Sequence, residues 1–351
     1  MHADFLLYGS YGYTGRLIAE RALEQGLRPL LAGRDAGALA SQAAELGLEF
    51  RAFSLDDTAA LDASVRAVQV VLHAAGPFVH TAAPMAQACI RAGVHYLDIT
   101  GEIAVFEAMA ALDGAARASG VMLMPGAGFD VVPTDCLAAH LARRLPGATS
   151  LALAFRSLGG GLSRGTATTM VENAGRGGAV RRDGRIMAVP AAWRTRTVDF
   201  GRGPVSVTTI PWGDVSTAFH STGIPDIEVY TRMSPGQRRM LLASRYVRWL
   251  LEAGPVQGLL KRRIHARPAG PSAEVRARSA SLIWGEALDP VGSRVESRMR
   301  TPEGYTLTAW TSVAAVQRVL SGGAAPGYQT PSRAFGPDWI LSFPGVERTD
   351  V

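Results

Sequence analysis

The chain is poor in cysteine and lysine and has no long apolar run. Its two cysteines, Cys89 and Cys136, lie in apolar helical stretches, which excludes a disulfide framework and predicts buried free thiols. Lys261 is the only lysine and lies in a basic cluster, so a Schiff-base mechanism that needs a desolvated lysine is excluded. No apolar segment approaches the ~20 residues that span a bilayer, and no secretory leader is read at the N-terminus. These features favour a cytoplasmic protein.

Clustered metal ligands and nucleic-acid motifs are also missing. The seven histidines are dispersed, and no closely spaced His or Cys pair occurs, so no metal site is predicted. The net charge is +6, but the arginines are scattered without stacking aromatics between them. This pattern argues against nucleic-acid binding.

Strands and helices alternate through the first part of the chain. The short strands, such as "DFLLYG" and "RPLLAG", are apolar throughout, which is typical of a parallel sheet covered on both faces. The alternation predicts an α/β fold with an N-terminal Rossmann domain, a doubly wound parallel sheet, over residues 1–148.

The regular alternation of strands and helices ends after Thr149. Residues 149–351 are expected to form an α+β domain, with a C-terminal tail that packs back on the first domain; its part in substrate binding and dimerisation follows only from the family resemblance given below. The run "SAEVRARSASLIWGEALD" is interpreted as β structure, and a helix is expected from about Thr308 to Leu320.

The stretch "YGSYGYTGR" places three glycines between the first strand and the first helix. Glycines there permit a tight turn and let a pyrophosphate approach the backbone at the helix N-terminus. The fourth strand ends at "AAGPFV", where the nicotinamide ribose of a dinucleotide should lie, although a plain strand-to-helix turn is the alternative. The predicted cofactor contacts at these two turns are Gly9, Ser10, Gly12, Tyr13, Thr14, Gly15, Ala75, Gly76 and Pro77.

The end of the second strand selects the nucleotide. Arg34 can pair with a 2′-phosphate and stack on adenine, which favours NADP over NAD. The alternative is an ordinary surface arginine, with Asp35 either contacting the ribose or capping the next helix. Asp56, after the third strand, either contacts the adenine amino group or caps the following helix.

With these motifs the chain resembles the saccharopine dehydrogenase-like oxidoreductases, and most closely the bacterial branch of trans-acting enoyl reductases. The resemblance rests on "YGSYGYTGRLIAE", "AAGPFVHTAAPMAQACIRAGVHYLDITGE", "PGAGFDVVPTD" and "SRGTATTMVE". It implies a Rossmann domain, a second α+β domain that carries the substrate, and an NADP-dependent redox reaction. It also implies that Gly9, Gly12, Gly15 and Arg34 contact the cofactor.

Candidate proton donors lie at the predicted carboxyl edge of the sheet. Asp130 and Asp135 in "PGAGFDVVPTD" could orient substrate or relay a proton. Tyr96, which shares a strand face with Asp98, is a third catalytic candidate. The alternatives are helix capping and bracing between domains.

Candidate substrate contacts are Phe129, Ser163, Arg164 and Thr166. The last three precede or begin a helix and suit an anionic or carbonyl group; the alternative is a helix cap beside an exposed arginine.

Residues 237–264 mix apolar and basic side chains. They form either a surface for a membrane or a lipid-like substrate, or a packed helix pair whose arginines face water. The second interpretation is favoured because Gly254 and Pro255 interrupt the amphipathic face.

The resemblance implies an NADP(H)-dependent oxidoreductase that reduces a C=C or related double bond of a small or lipid-like acyl substrate. One alternative is a saccharopine-type imine oxidoreductase, which would need clustered basic residues for several substrate carboxylates. The sequence offers no dedicated set for these beyond Arg164, Arg176, Arg181 and Arg182. Another alternative is a non-catalytic, membrane-associated NADP-binding protein. A homodimer and a cytoplasmic location, peripheral to a membrane, are further expectations.

Overall fold

The computed structural model describes residues 3–173, 175, 177–244, 246–247, 249 and 253–351. Its strands, in chain order, are β1 (Phe5–Tyr8), β2 (Pro29–Gly33), β3 (Phe50–Ala52), β4 (Val70–His73), β5 (His95–Asp98), β6 (Met122–Met124), β7 (Ser150–Leu158), β8 (Gly178–Arg182), β9 (Arg185–Val189), β10 (Thr195–Asp199), β11 (Pro204–Thr209), β12 (Asp226–Thr231), β13 (Ala280–Leu288), β14 (Arg294–Pro302), β15 (Gly327–Tyr328) and β16 (Glu347–Asp350).

The helices of the same residues are α1 (Tyr13–Glu24), α2 (Ala36–Leu46), α3 (Thr58–Val65), α4 (Phe78–Ala92), α5 (Ile103–Ala111), α6 (Asp113–Ala118), α7 (Val132–Arg144), α8 (Arg164–Glu172), α9 (Asp214–Thr222), α10 (Pro235–Ser244), α11 (Gly254–His265), α12 (Ala273–Arg278), α13 (Gly304–Leu320) and α14 (Pro331–Phe335), with a 3₁₀ turn at Trp339–Ser342.

The chain forms two compact units. The first comprises Met1–Val132 and Tyr305–Ala334, and the second comprises Pro133–Gly304 and Phe335–Val351. The division falls before α7, whereas the sequence analysis placed it at residue 148. Helix α7 groups with the second unit because Leu137 and Leu141 pack against the bare backbone of Gly285 in β13.

The first unit is built around a parallel sheet. Among the described residues, its seven strands follow the order β15-β6-β5-β4-β1-β2-β3. Strands β1, β2, β4 and β6 are buried along their whole length, as expected of a sheet with helices on both faces. The predicted doubly wound Rossmann sheet is therefore confirmed.

The C-terminal part of the first unit adds an element that the sequence analysis did not predict. Strand β15 lies in the C-terminal tail, which is expected to pack back on the first domain, and it pairs in parallel with β6. Its two residues are too few to show periodicity, so only the pairing with β6 reveals them as a strand.

The second unit contains a mixed sheet. Nine of the described strands form it, with the main path β10-β11-β12-β7-β13-β14-β16 and with β8 and β9 attached through β12. The first part of "SAEVRARSASLIWGEALD" is helix α12 and not β structure. Ser272 explains the difference, because its hydroxyl caps this helix by accepting a hydrogen bond from the N–H of Val275.

Helices α10 and α11 are partly exposed. No described residue of α10 is buried, although Leu241 and Leu242 are half-buried, and in α11 only Ile264 is buried. Met240 of α10 is 72% exposed, and so is Trp249 between the two helices. Lys261 of α11 pairs with Glu172 of α8 at 2.6 Å, and the favoured interpretation of packed helices whose arginines face water stays a prediction.

Both cysteines are buried and free. Within the described ranges, no helix combines the length and apolar character needed to cross a membrane.

Candidate active site

The turn between β1 and α1 brings the backbone into unusually close contact with itself. A Cβ on Gly15 would lie 2.2 Å from the carbonyl oxygen of Gly9, and a Cβ on Gly9 would lie 2.8 Å from the Cβ of Ala75. Gly9 also has a φ of +87°, in the left-handed region. Glycine at both positions lets the start of α1 lie directly against the ends of β1 and β4.

The N-terminus of α1 is open to an anion. Gly12 occupies the N-cap and supplies no side-chain hydrogen bond to the first turn. The N–H groups of Thr14 and Gly15 have no acceptor within the helix and, together with the helix dipole, favour a bound phosphate. Because β1 lies between β2 and β4 in the sheet, this turn stands where the strand order reverses, the usual ligand crevice of such folds.

Two predicted contacts in this turn have other partners in the structure. Ser10 is fully buried, and its hydroxyl donates to Oε1 of Gln42 at 2.8 Å. Its side chain is therefore not available to a ligand, which corrects that part of the prediction. Tyr13 packs edge-on against Tyr305 with ring centroids 5.1 Å apart, so its ring is fixed beside α13.

Arg34 is available at the carboxyl end of β2. Its side chain is exposed, and across the described ranges it makes no hydrogen bond or ion pair. Asp35 accepts a hydrogen bond from the N–H of Ala38 at 3.0 Å and caps α2. The capping alternative for Asp35 is thus confirmed, and the guanidinium next to it stays free for a ligand.

Asp56 also lies at this edge and does not cap a helix. Its carboxylate is exposed and accepts from the hydroxyl of Ser54 at 3.0 Å, whereas Asp57 caps α3. Burial raises the pKa of Tyr8 to about 12, an effect that the positive charge of Arg34 opposes and the negative charge of Asp56 reinforces. Arg34 and Asp56 therefore lie on the same side of the sheet end, around the Tyr8 hydroxyl.

Tyr11 is a site residue that the sequence analysis missed. Its ring lies over Gly33, where an added Cβ would stand 2.5 Å from the ring carbon Cε1. The half-exposed ring thus covers the last residue of β2, next to Arg34. A tyrosine inside the glycine turn was the available signal, since an exposed ring beside a nucleotide pocket can stack on a base.

The turn after β4 is tied to its neighbours by hydrogen bonds. The hydroxyl of Thr81 donates to the carbonyl of Ala75 at 2.7 Å, and Oε1 of Glu102 accepts from the N–H of Phe78 at 2.8 Å. Gly76 is exposed and Pro77 half-buried. This arrangement holds the Ala75–Pro77 turn beside Gly9, and its role as a ribose contact stays a prediction.

Asp98, at the end of β5, is a buried carboxylate that organises the next two loops. It accepts hydrogen bonds from the Tyr96 hydroxyl at 2.7 Å, from the N–H of Thr100 at 2.9 Å and from the N–H of Gly126 at 3.0 Å. Burial raises the pKa of Asp98 to about 6 despite these hydrogen bonds.

This network corrects the prediction for Tyr96. The side chain is fully buried, and burial together with the Asp98 charge raises the pKa of its hydroxyl well above the usual range. Since the hydroxyl proton is donated to Asp98, Tyr96 serves the core and not a ligand.

Asp130 differs from the other acidic candidates because its carboxylate lacks a partner. Oδ2 lies 2.7 Å from the position of a Cβ on Gly101, just beyond β5. Across the described ranges no group donates a hydrogen bond to its oxygens and no cation pairs with it. Desolvation raises the pKa of this half-buried side chain to about 7. At neutral pH the group can therefore both hold and release a proton.

Helix α13 holds the loop that carries Asp130. The hydroxyl of Thr308 accepts from the N–H of Phe129 at 2.9 Å, and the hydroxyl of Thr311 donates to the carbonyl of Ala127 at 2.7 Å. Phe129 therefore contributes its backbone to the support of this loop, and its predicted role in substrate binding is untested.

Asp135 has a structural role in the second unit. It is fully buried, and the hydroxyl of Ser221 in α9 donates to its carboxylate. Next to it, the hydroxyl of Thr134 donates to Asp214 at 2.8 Å. These bonds join α7 to α9, so Asp135 braces two helices, as one of the stated alternatives had it, and is not an accessible acid.

The predicted substrate contacts at α8 form a helix cap. Ser163 accepts from the N–H of Thr166 at 3.2 Å, and the two hydroxyls lie 3.1 Å apart. Nε of Arg164 donates to the carbonyl of Arg267 at 2.6 Å. The capping alternative is confirmed, and the arginine is held by a backbone carbonyl instead of facing a ligand.

Comparison with known proteins identifies the first unit. Residues 5–124 match the family model of the saccharopine dehydrogenase NADP-binding domain. The first unit therefore contains a domain of the saccharopine dehydrogenase NADP-binding type, and the match covers about a third of the chain. The resemblance inferred from "YGSYGYTGRLIAE" and "HYLDITGE" is thus confirmed. The matched residues include β1 to β6 and every cofactor contact predicted above.

Several curated proteins that are similar to this chain carry the name trans-acting enoyl reductase. The protein of Mycobacterium leprae is 34% identical over 150 residues, which cover 40% of this chain and 36% of the relative. The protein of Mycobacterium tuberculosis is 32% identical over 149 residues, with the same two shares. The match therefore spans just over a third of the length of these relatives.

The fold as a whole is similar to that of saccharopine dehydrogenase (L-Glu forming) from Saccharomyces cerevisiae. The TM-score is 0.68 at 11% sequence identity, and the alignment covers 99% of this chain and 100% of the yeast chain. At this identity the likeness concerns the fold alone.

The raised pKa of Asp130 predicts a pH-dependent effect on stability. In the unfolded chain this carboxyl ionises near pH 4, but in the folded protein only near pH 7. Its contribution to the unfolding free energy therefore decreases as the pH rises from about 4 to about 7. One pKa unit corresponds to about 1.4 kcal/mol. Relative to the wild type, the unfolding free energy of Asp130→Asn should therefore increase by at least that much across this range.

Urea unfolding of both proteins from pH 4 to pH 8 measures this difference. Asp183→Asn is the control, since it removes an exposed carboxylate at a positive φ that asparagine accepts. An Asp130→Asn gain that does not grow with pH would contradict the burial of this carboxyl.

Proposed function

We propose that the chain is an NADP(H)-dependent oxidoreductase that reduces a polarised C=C bond of an acyl compound. The observation that carries this proposal is the accessible, unpartnered carboxyl of Asp130, which lies on the same sheet edge as the glycine turn. A dinucleotide site and a proton donor beside it are the two parts that such a reduction needs.

The residues of the turn fit a dinucleotide. A Cβ on Gly9 or Gly15 would overlap neighbouring protein atoms, so glycine lets the start of α1 lie against the sheet. The first turn of α1 then offers the N–H groups of Thr14 and Gly15 to a pyrophosphate. Gly76 and Pro77 border the crevice on the β4 side. When bound there, the nicotinamide supplies the hydride.

Arg34 supports NADP over NAD. Its exposed guanidinium can form charge-assisted hydrogen bonds with a 2′-phosphate. The neighbouring acid, Asp35, is occupied in capping α2 and does not take the position from which an acidic residue bonds the ribose 2′-hydroxyl of NAD. Tyr11 covers Gly33 next to Arg34, and Asp56 follows β3, the strand that pairs with β2, so both are expected to border the adenine.

Asp130 acts as the proton donor in this proposal. Hydride addition at the β-carbon of an enoyl group leaves negative charge on the α-carbon and the carbonyl oxygen. The protonated Asp130 gives its proton to the α-carbon, and water restores the proton afterwards. A pKa of about 7 suits this task, and Asp98 acts indirectly, because it holds the Gly126 end of the loop.

The names of the mycobacterial relatives support an enoyl substrate. The imine alternative relied on clustered arginines as carboxylate ligands. Arg164 donates to a backbone carbonyl, Arg181 is buried and donates to the carbonyl of Val215, and Arg182 pairs with Glu228. Arg176 lies outside the described residues. The engagement of these three arginines favours the enoyl proposal over the imine one.

Replacement of Arg34 tests the choice of cofactor. A hydrogen bond to a charged group contributes about 1.5–3 kcal/mol, so Arg34→Gln should weaken NADPH binding about tenfold or more and leave NADH binding unchanged. Titration calorimetry with both nucleotides measures this. Arg202→Gln, an exposed arginine of the second unit, is the matched control. Equal losses for NADPH and NADH would mean that Arg34 does not select the cofactor.

Turnover tests the reaction. NADPH oxidation is followed with an α,β-unsaturated acyl thioester and with a cyclic imine, and only the thioester should react. The rate should fall above about pH 7 as Asp130 loses its proton. Asp130→Asn should lower kcat at least about 100-fold without changing NADPH affinity, while Asp183→Asn should have no effect. NADPH binding without turnover of either compound would instead indicate the non-catalytic alternative.

We propose further that residues 235–267 contact an anionic lipid surface. This segment has eight basic residues and one acidic residue. Its side chains Tyr246, Trp249 and Leu259 are 84%, 72% and 55% exposed. Exposed aromatic and aliphatic groups among arginines are the features of an interfacial helix, and each basic residue near an anionic bilayer contributes about 1 kcal/mol.

Vesicle co-sedimentation tests this surface. The protein should pellet with phosphatidylglycerol vesicles at low salt, and should not pellet with phosphatidylcholine vesicles. Trp249→Ser should reduce the pelleted fraction several-fold, because the ring no longer enters the interface. Val291→Ser is the control, since Val291 is 87% exposed in the β13–β14 turn. No pelleting with either vesicle would refute the membrane contact.

A further inference from the structure

The second sheet curls until strands that are distant in its order approach each other. Strand β10 lies at one end, and β11, β12 and β7 separate it from β13. Nevertheless, Arg196 of β10 pairs with Glu286 of β13 at 2.7 Å, and Asp199 of β10 lies 3.5 Å from Arg298 of β14. Trp284 and Phe200 pack in the apolar cluster enclosed by this curl.

A cavity of about 370 Å³ opens at one end of the curled sheet. This volume is within the range of small-molecule sites, which often occur in the mouths of barrel-like sheets. The polar side chains that line it include Arg182, Arg194, Arg196, Glu228, Tyr230 and Glu286.

Both carboxylates of the cavity are already neutralised. Glu228 accepts hydrogen bonds from Arg182, from Arg194 and from the Tyr230 hydroxyl. Each oxygen of Glu286 also pairs with an arginine. Nη2 of Arg196 lies 2.7 Å from Oε1, and Nε of Arg294 lies 2.6 Å from Oε2.

The cavity therefore has an excess of positive charge. Among the described residues that line the cavity, three guanidiniums face two carboxylates, which leaves one positive charge. Arg194 and Arg196 each commit one Nη group to a glutamate. Their Nε groups and second Nη groups have no protein acceptor within the described ranges.

Aromatic stacking fixes the plane of one of these guanidiniums. The Arg196 group lies 4.8 Å from the ring centroid of Trp284 and 5.7 Å from that of Tyr230. A guanidinium held in this way presents its remaining donors in a fixed geometry, which is the requirement for bidentate recognition of a carboxylate or phosphate.

We propose that this cavity is a binding site for a small organic or inorganic anion, with Arg194 and Arg196 as its ligands. The excess positive charge and the remaining donors of these two arginines suit a carboxylate or a phosphate group. The site lies entirely within the second unit and is independent of the proposed redox function.

Titration calorimetry at low ionic strength tests the proposal with two probes, glutarate and inorganic phosphate. At least one should bind saturably, and the stronger of the two identifies the dicarboxylate or the phosphate source. Arg196→Gln and Arg194→Gln should each weaken that binding about tenfold or more. Arg202→Gln, which removes a charge elsewhere in the same unit, should leave it unchanged.

Each variant must retain NADPH binding and its unfolding transition. Arg194→Gln keeps the test valid if Arg196→Gln fails to fold. Its own folding is expected because the Arg194 side chain is 57% exposed and Glu228 keeps Arg182 and Tyr230 as partners. Absence of saturable binding of both probes to the wild type would overturn the proposal. So would an equal loss in Arg202→Gln, because the binding would then reflect net charge alone.

Discussion

The contact between the start of α1 and the carbonyl of Gly9 is the constraint on which the proposed site depends. A Cβ on Gly15 would stand 2.2 Å from that oxygen, so any other residue would push the helix away from the sheet. Without this approach, the N–H groups of the first turn would not face the crevice beside β4. The glycine spacing is therefore a packing requirement first, and phosphate binding is its consequence.

A second constraint acts on the opposite side of the crevice. The buried carboxylate of Asp98 receives the Tyr96 hydroxyl and the N–H groups of Thr100 and Gly126. This network stabilises the loop that carries Asp130, and it engages the only hydrogen-bond donor of the Tyr96 side chain, its hydroxyl. A buried charge without such partners would be costly, which explains why this acid is structural, whereas the less enclosed Asp130 stays unpartnered.

The second unit uses its arginines in pairs around glutamates. There are two such centres, at Glu228 and Glu286, and the Arg196–Glu286 pair of the second joins strands β10 and β13, which are far apart in the sheet order. Pairing makes it possible to place charged groups in a partly enclosed sheet mouth, and the surplus of guanidiniums leaves that mouth positive. The high arginine content noted in the sequence is thus partly explained by the architecture of this sheet.

The sequence by itself determined the parallel first sheet, the glycine turn and the position of Arg34, because these follow from periodicity and from residues adjacent in the chain. Only the tertiary structure separated Asp130 from Tyr96 and Asp135, since their roles depend on the groups that face them. Thr308 supports Phe129 from 179 residues away, and β15 exists only as a partner of β6. Such contacts join segments that are distant in the chain, so no local sequence pattern predicts them.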